Sequence, residues 1–358
     1  MQQLIGDNKK HECYDAPHPA RKWVEKSMKN IHVTVLTNAI VDILAHVDNG
    51  FFAGHGVEKV GYQTISRDGM KKLYTKIPPA TEQSGGTLAN TVAGLSALGS
   101  NVCCLARVTN DAFGKIFMHD MKASGVHFPM KPSRSEEGTG HTIILIDEAG
   151  DRHMNTYLGS SVEIGSQDLC IDSIKNSEIL CVEGYFWLNT LTKESVYRAI
   201  AVAKESGTKV ALGLAAVLCA KSFKEDFLEL LNGSIDILFG NEEEYEALFS
   251  SDFSEVLKKV STLPILSVIT RGDQGSVIVQ GGDIMHIPPV VPPQVVDATG
   301  AGDAYASGVL YGLTHGLNLK ESAKLASLVA AQTVSHIGAR PDQTLIRRTV
   351  KEAGFNID

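Results

Sequence analysis

The chain is short of paired cysteines, long apolar runs and positive charge, and each shortage excludes something. Six cysteines are scattered through 358 residues, none in a C-x-x-C pair and none beside a histidine at zinc spacing. A disulfide scaffold and a zinc module are therefore excluded. No window reaches the roughly 18 continuous apolar residues of a membrane-spanning helix. No G-x-x-x-x-G-K-[ST] string occurs, which rules out a P-loop nucleotidase, and the protein-kinase catalytic signatures are missing too. Lysine and arginine number 33 against 41 aspartates and glutamates, a net charge of −8. That balance argues against general affinity for nucleic acid or an anionic membrane. A phosphorylated ligand stays open, because such sites use local amides and not net charge.

Residues 1–30 are polar, lack an apolar h-region, and read as an N-terminal extension with a helical piece around Trp23 to Met28. Cys103, Cys104 and Cys181 fall in the strand-like runs VCCLARV and EILCVEG, so buried free thiols in a reducing cytoplasm are expected.

What is present is an ordinary globular composition, 43% apolar and 21% charged. The length fits two domains, or one large α/β domain with an insertion. A β-branched run, IHVTVLT, opens the fold. Helical patterns then alternate with strand-like runs through the rest of the chain, which predicts a mostly parallel sheet with helices on both faces. Asp111 is expected to cap a helix stopped by Gly125, and Thr142 to Leu158 reads as a hairpin about Glu148-Ala149-Gly150-Asp151. The stretch Ile43 to Tyr74 breaks the rhythm, as a small β lid or a loop excursion would.

The most informative segment is Val296-Asp297-Ala298-Thr299-Gly300-Ala301-Gly302-Asp303, which follows Pro289, Pro292 and Pro293 and leads into an apolar helix. Free N–H groups at such a helix start converge into an anion site, and the same dipole keeps a first-turn carboxylate ionised. An anion cradle beside a carboxylate suits phosphoryl transfer to a hydroxyl, with the carboxylate taking the alcohol proton. The plain alternative is a structural glycine turn capped by an aspartate.

The full string D-A-T-G-A-G-D-A-Y-A-S-G resembles the C-terminal signature of the ribokinase/phosphofructokinase-B family of sugar and nucleoside kinases. Ser84-Gly85-Gly86-Thr87-Leu88-Ala89-Asn90 is similar to the family's di-glycine signature, Asn241-Glu242-Glu243-Glu244 to its N-x-x-E motif, and Thr270-Arg271-Gly272-Asp273-Gln274-Gly275 to its nucleotide-site turn. Asn38 to Leu44 and Glu183-Gly184-Tyr185 look closest to the adenosine-kinase-like branch. Where that branch carries Leu-Ser-Asp-Pro, this chain reads Leu212-Gly213-Leu214-Ala215-Ala216-Val217.

The resemblance implies a three-layer α/β/α sandwich over residues 31–358, with lid segments at about 44–84 and 142–158. It implies Asp303 as general base and Gly300, Ala301 and Gly302 as a main-chain anion hole. Asp42, read as ending the first strand, and Asn90 would bind sugar hydroxyls; Gly85 and Gly86 would form the lid hinge; Glu183 would lie near the sugar or simply close a strand-end loop. Asn241 and Glu244 would position magnesium through water, and Thr270, Gly272 and Gly275 would contact ATP. Arg152 is either an exposed turn residue or one that reaches toward the phosphates. Asp297, Thr299, Thr333, His336 and Asp342 leave room for a monovalent cation such as potassium.

The expected protein is thus an ATP-dependent kinase for a small molecule: adenosine first, then another ribonucleoside, then ribose or a ketose derivative. Its rivals are a non-catalytic sugar or nucleotide sensor on the same fold and a nucleoside hydrolase. No nucleic-acid or membrane partner is expected. The chain would be a monomer or a homodimer paired through lid strand edges.

Overall fold

The computed structural model describes residues 29–340 and 342–357, so the helix expected around Trp23 lies outside the described residues. The main sheet has eight strands: β1 (Ile31–Leu36), β5 (Val102–Leu105), β8 (Ser177–Glu183), β9 (Lys209–Gly213), β10 (Ile237–Asn241), β11 (Leu266–Thr270), β12 (Ser276–Gln280) and β13 (Asp283–Ile287). Their spatial order is β13-β12-β11-β10-β9-β8-β1-β5. All neighbours from β5 to β11 are parallel, and β12 and β13 close one edge antiparallel.

Both faces of this sheet are buried, which is why its strands read as continuous apolar runs. Adjacent residues serve opposite faces: Val102 and Cys104 pack in one core, Cys103 and Leu105 in the other. One layer holds α3 (Thr87–Ala97), α4 (Ala112–Ala123), α11 (Ala301–Thr314), α12 (Leu319–Thr333) and α13 (Gln343–Glu352). The other holds α5 (Ile171–Lys175), α6 (Thr190–Glu205), α7 (Val217–Ser222), α8 (Lys224–Leu231), α9 (Glu242–Phe249) and α10 (Phe253–Ser261). The expected sandwich is therefore present. Asp111 caps α4 by accepting from the Gly114 N–H at 2.7 Å, as its sequence position predicts.

The lid is a second sheet of order β3-β7-β6-β2-β4. It contains β2 (Ile40–His46), β3 (Tyr62–Thr64), β4 (Thr81–Gly85), β6 (Gly140–Ile146) and β7 (Arg152–Tyr157). Its strands begin at Ile40 and Gly140, earlier than the expected 44 and 142. Two helices interrupt the expected β character: α1 (Asn49–His55), capped by Asp48, and α2 (Arg67–Tyr74), capped by Ser66. Phe52, Met70 and Leu73 from these helices cover Ile43, Ala45, Ile143 and Leu145 on the outer face of the sheet. The edges of this sheet are β3 and β4. β3 is three residues long, and the Ser84 N–H on β4 already donates to Asp120 Oδ2 of α4.

Candidate active site

β1, β8, β9, β10 and β11 all end on one rim of the parallel sheet, so Glu183, Gly213, Asn241 and Thr270 lie there together. Ligands of open α/β sheets bind outside the carboxyl ends of the strands. The N-terminus of α11 faces the same rim. Its approach is pinned where the Val296 and Asp297 N–H groups both donate to the Val334 carbonyl. Gly300 turns the chain with φ +77°, and a methyl there would run into the Ala339 main chain. Gly302 faces open space.

The main-chain N–H groups of Gly300, Gly302 and Asp303 meet no acceptor among the described residues. That of Ala301 donates to the Ala298 carbonyl at 3.2 Å. Of the three amides expected to form an anion hole, those of Gly300 and Gly302 are free, that of Ala301 closes a turn, and the Asp303 amide is free beside them.

Two cavities of about 200 and 220 Å³ open on this rim, and the residues common to both are Thr87 and Asp303. Asp303 Oδ2 accepts from Asn90 Nδ2 at 3.0 Å. Burial pushes the Asp303 carboxyl up to about 7; the Asn90 bond and Arg340 pull it down, while Glu183 and Asp42 push it further up.

The lid-side cavity is walled by Asp42, Asn38, Tyr62, Tyr185 and Met154, among others. Asp42 does not end the first strand. It lies in the middle of β2, in the lid sheet, opposite Gln83 of β4. The chain bends at 37–39, between two strands that read as one run. A methyl on Gly85 would overlap the Asp42 carboxylate, so glycine there makes room for it against the hinge. Gly86 follows as the residue before α3. Burial raises Asp42 to about 7 against the pull of Arg340 and Arg152. Asn38 Oδ1 is a buried acceptor with no partner among the described residues.

Glu183 is 1% exposed and bonded by the chain on both oxygens. It accepts from the Asn38 N–H at 2.9 Å, the Thr37 hydroxyl at 3.2 Å and the Leu88 N–H at 3.4 Å. Burial raises it to about 7. It braces the corner between body and lid while lining the lid-side cavity, with Oε1 accepting only from the Asn38 N–H.

The second cavity runs along the sheet rim past Gly213, Ala215, Asn241, Glu244 and Thr270. Ala215 takes φ +70°, a left-handed conformation rare outside glycine, in the segment that departs from the adenosine-kinase-like pattern. Asn241 and Glu244 form a reciprocal cap: Asn241 Oδ1 accepts from the Glu244 N–H at 2.8 Å, and Glu244 Oε2 from the Asn241 N–H at 2.9 Å. Glu244 Oε1 makes no hydrogen bond among the described residues, and burial raises the pKa of this carboxyl. No group of three or more His, Cys, Asp or Glu side chains that could hold a metal occurs among the described residues. The donor set fits a magnesium ion carried mainly by phosphate oxygens and water, with Glu244 and Asn241 beside it. Gly272 and Gly275 do not line the cavity; they shape the turn between β11 and β12.

Arg152 is not an exposed turn residue. It begins β7 and forms an ion pair with the buried Asp297. Asp297 also accepts from the Gly338 N–H at 2.6 Å and the Thr299 N–H at 3.0 Å. Asp297, expected beside a monovalent cation, thus has partners within the chain on both oxygens. Sequence reasoning missed Arg340, whose Nε donates to Asn90 Oδ1 at 3.0 Å and whose Nη1 donates to Ser84 Oγ. It also missed Asp120, Tyr62 and Asn38. Only long-range pairing joins these residues to the site.

The chain is similar to known proteins over most of its length. Residues 57–345 match the pfkB family carbohydrate kinases. A probable sugar kinase from Rhizobium etli superposes with a TM-score of 0.86 at 34% identity, over 91% of this chain and 99% of that one. The adenosine kinase from Sinorhizobium meliloti superposes with a TM-score of 0.84 at 37% identity, over 90% and 99%. A 5-dehydro-2-deoxygluconokinase from Clostridium perfringens is 25% identical over 281 residues, 75% of this chain and 82% of its own length. With its glycine-turn carboxylate between two cavities and relatives of this kind, the chain belongs to the pfkB family of carbohydrate kinases and is a kinase of sugars or nucleosides.

Proposed function

We propose that this kinase transfers the γ-phosphoryl group of ATP to a primary hydroxyl of a nucleoside, adenosine being the first candidate, with Asp303 as general base. The observation that carries this reading is the position of Asp303, common to both cavities and held by Asn90. An acceptor in the lid-side cavity brings its hydroxyl to Asp303, and a triphosphate in the rim cavity brings its γ-phosphorus to the other side.

Asp303 takes the hydroxyl proton, the oxygen bonds to phosphorus, and the bond to the β–γ bridging oxygen breaks to release ADP. The free amides of Gly300, Gly302 and Asp303 receive the charge on the transferring group. Magnesium bound with the triphosphate, beside Glu244 and Asn241, would offset phosphate charge. Asp42 and the unpaired Asn38 Oδ1 suit the two hydroxyls of a ribose-like diol.

Tyr62 of the lid and Tyr185 of the body stack with centroids 6.2 Å apart, and Ile144, Met154 and Leu158 extend that apolar wall. So much apolar surface favours an acceptor that carries a base. A free sugar or sugar derivative is the second reading, favoured by the sugar kinases among the relatives.

The test is ATP consumption over a panel of nucleosides and sugars, with wild type and Asp303→Asn. Turnover with a nucleoside that the variant loses supports the proposal. Turnover with sugars alone shifts it to the second reading. Ligand-induced stabilisation without any turnover replaces it with a sensor, and base release without ATP replaces it with a hydrolase.

A further inference from the structure

The fold brings a residue from near the C-terminal end of the chain against both the base and the lid hinge. Arg340 follows α12, in a loop pinned to Asp297 through the Gly338 N–H. Its guanidinium is largely buried. Nε donates to Asn90 Oδ1 at 3.0 Å, Nη1 donates to Ser84 Oγ, and Nη2 has no partner among the described residues. The first two contacts span 250 and 256 positions of sequence.

An asparagine amide has a donating and an accepting end of nearly equal shape, so its direction is set by its neighbours. Arginine only donates, so Nε requires Oδ1 to face it. Nδ2 is then left to face Asp303 Oδ2, where it lies at 3.0 Å. Were the amide reversed, an oxygen would lie against the base carboxylate. The hinge contact adds a second function. Ser84 directly precedes Gly85 and Gly86, and both its N–H and its hydroxyl donate to Asp120 Oδ2, at 2.9 and 2.8 Å.

We propose that Arg340 is a positioning residue of this active site: it sets the direction of the Asn90 amide that holds Asp303 and ties that pair to the lid hinge at Ser84. This rests on Asp303 serving as the base. Arg340 also supplies charge. Asp303 faces Asn90 from α3, Asp42 from β2, Glu183 from β8 and Arg340 from the loop after α12; of these only Arg340 is cationic. Arg152, the other cation near these groups, acts on Asp42 and is paired with Asp297. Removing Arg340 leaves three acidic groups facing one another with less compensation, so the base should ionise at higher pH.

The experiment measures kcat and KM across pH for wild type, Arg340→Met and Arg340→Lys, with the accepted acceptor and ATP, after thermal melting has shown which variants are folded. Arg340→Met should lower kcat by about 30-fold or more, because an interaction with the base group is lost in the transition state. The acid limb of its profile should move up by about one pH unit, while KM for ATP changes little. Arg340→Lys retains the cation without the planar fork. It should restore the limb and leave kcat low, and it carries the test if the methionine variant does not fold. A normal kcat and an unmoved limb in a folded variant would overturn the proposal while Asp303→Asn remains inactive. Turnover by Asp303→Asn would instead remove the base reading itself. Equal losses at all pH values in both Arg340 variants, tracking their loss of melting temperature, would reduce Arg340 to a structural residue and overturn the proposal.

Discussion

The body and the lid solve the same problem, burying one strand set, by different means. In the body the parallel sheet is covered on both faces, by two extensive apolar clusters. In the lid one face packs with two short helices in a cluster of eight buried side chains, and the other faces the lid-side cavity. Polar contacts make up part of the difference. Lys59 pairs with Asp147 at 2.8 Å and lies 4.9 Å from the Phe52 ring centroid, while His153 Nε2 lies 3.3 Å from Asp147. The contrast predicts a stiff unit on one side of the site and a weaker one on the other. Elements that open and close come from the low-stability end of a structure.

Asp303→Asn tests the stiff side and has the largest expected effect. Loss of the base should lower kcat by about 10²–10⁴-fold. The melting temperature should stay level or rise, since the change removes a buried charge from an acidic cluster. A fall in both would mean the residue holds the fold.

Core truncation separates the units by stability. Phe227→Ala empties a fully buried position of the body and should cost about 3–5 kcal/mol of global stability, read by denaturant unfolding. Leu73→Ala in the lid should cost about 2–3 kcal/mol. It should register first as faster amide exchange in residues 40–85 and a higher acceptor KM. If both variants shift one common transition equally, lid and body form a single cooperative unit.

Acidity probes the seam between them. Asp42, Asp303 and Glu183 are all raised to about 7 by burial, so the folded protein keeps protons that the unfolded chain has already released above about pH 4. Their contribution is complete below the unfolded values and is lost as pH rises through 7. The melting temperature of the ligand-free protein should therefore fall between pH 5 and 8, and Asp42→Asn should flatten that slope. An unchanged slope would remove Asp42 from the set. The smallest effect is expected for Lys59→Met, a fall of under about 2 °C that vanishes at 1 M salt.

Local and periodic features were legible in the sequence. The alternation of strands and helices, the Asp111 cap, the hairpin and the glycine turn at 300 all depend on residues within a few positions of one another. The corner at 37–39 was not, because apolar residues continue on both sides of it and conceal the passage from one sheet to the other. The lid helices were hidden by their glycines, although Asp48 and Ser66 cap them in the usual way. In the candidate site, residues adjacent to a glycine signature could be read. Residues defined by a distant partner, such as Arg152 with Asp297 or Arg340 with Asn90, could not.

The helices α1 and α2 carry one more consequence. They cover one face of the lid sheet with side chains of the same molecule. If that cover suffices, turnover per molecule should stay constant as the enzyme is diluted to nanomolar levels, whereas a fall on dilution would show that a second copy completes the lid.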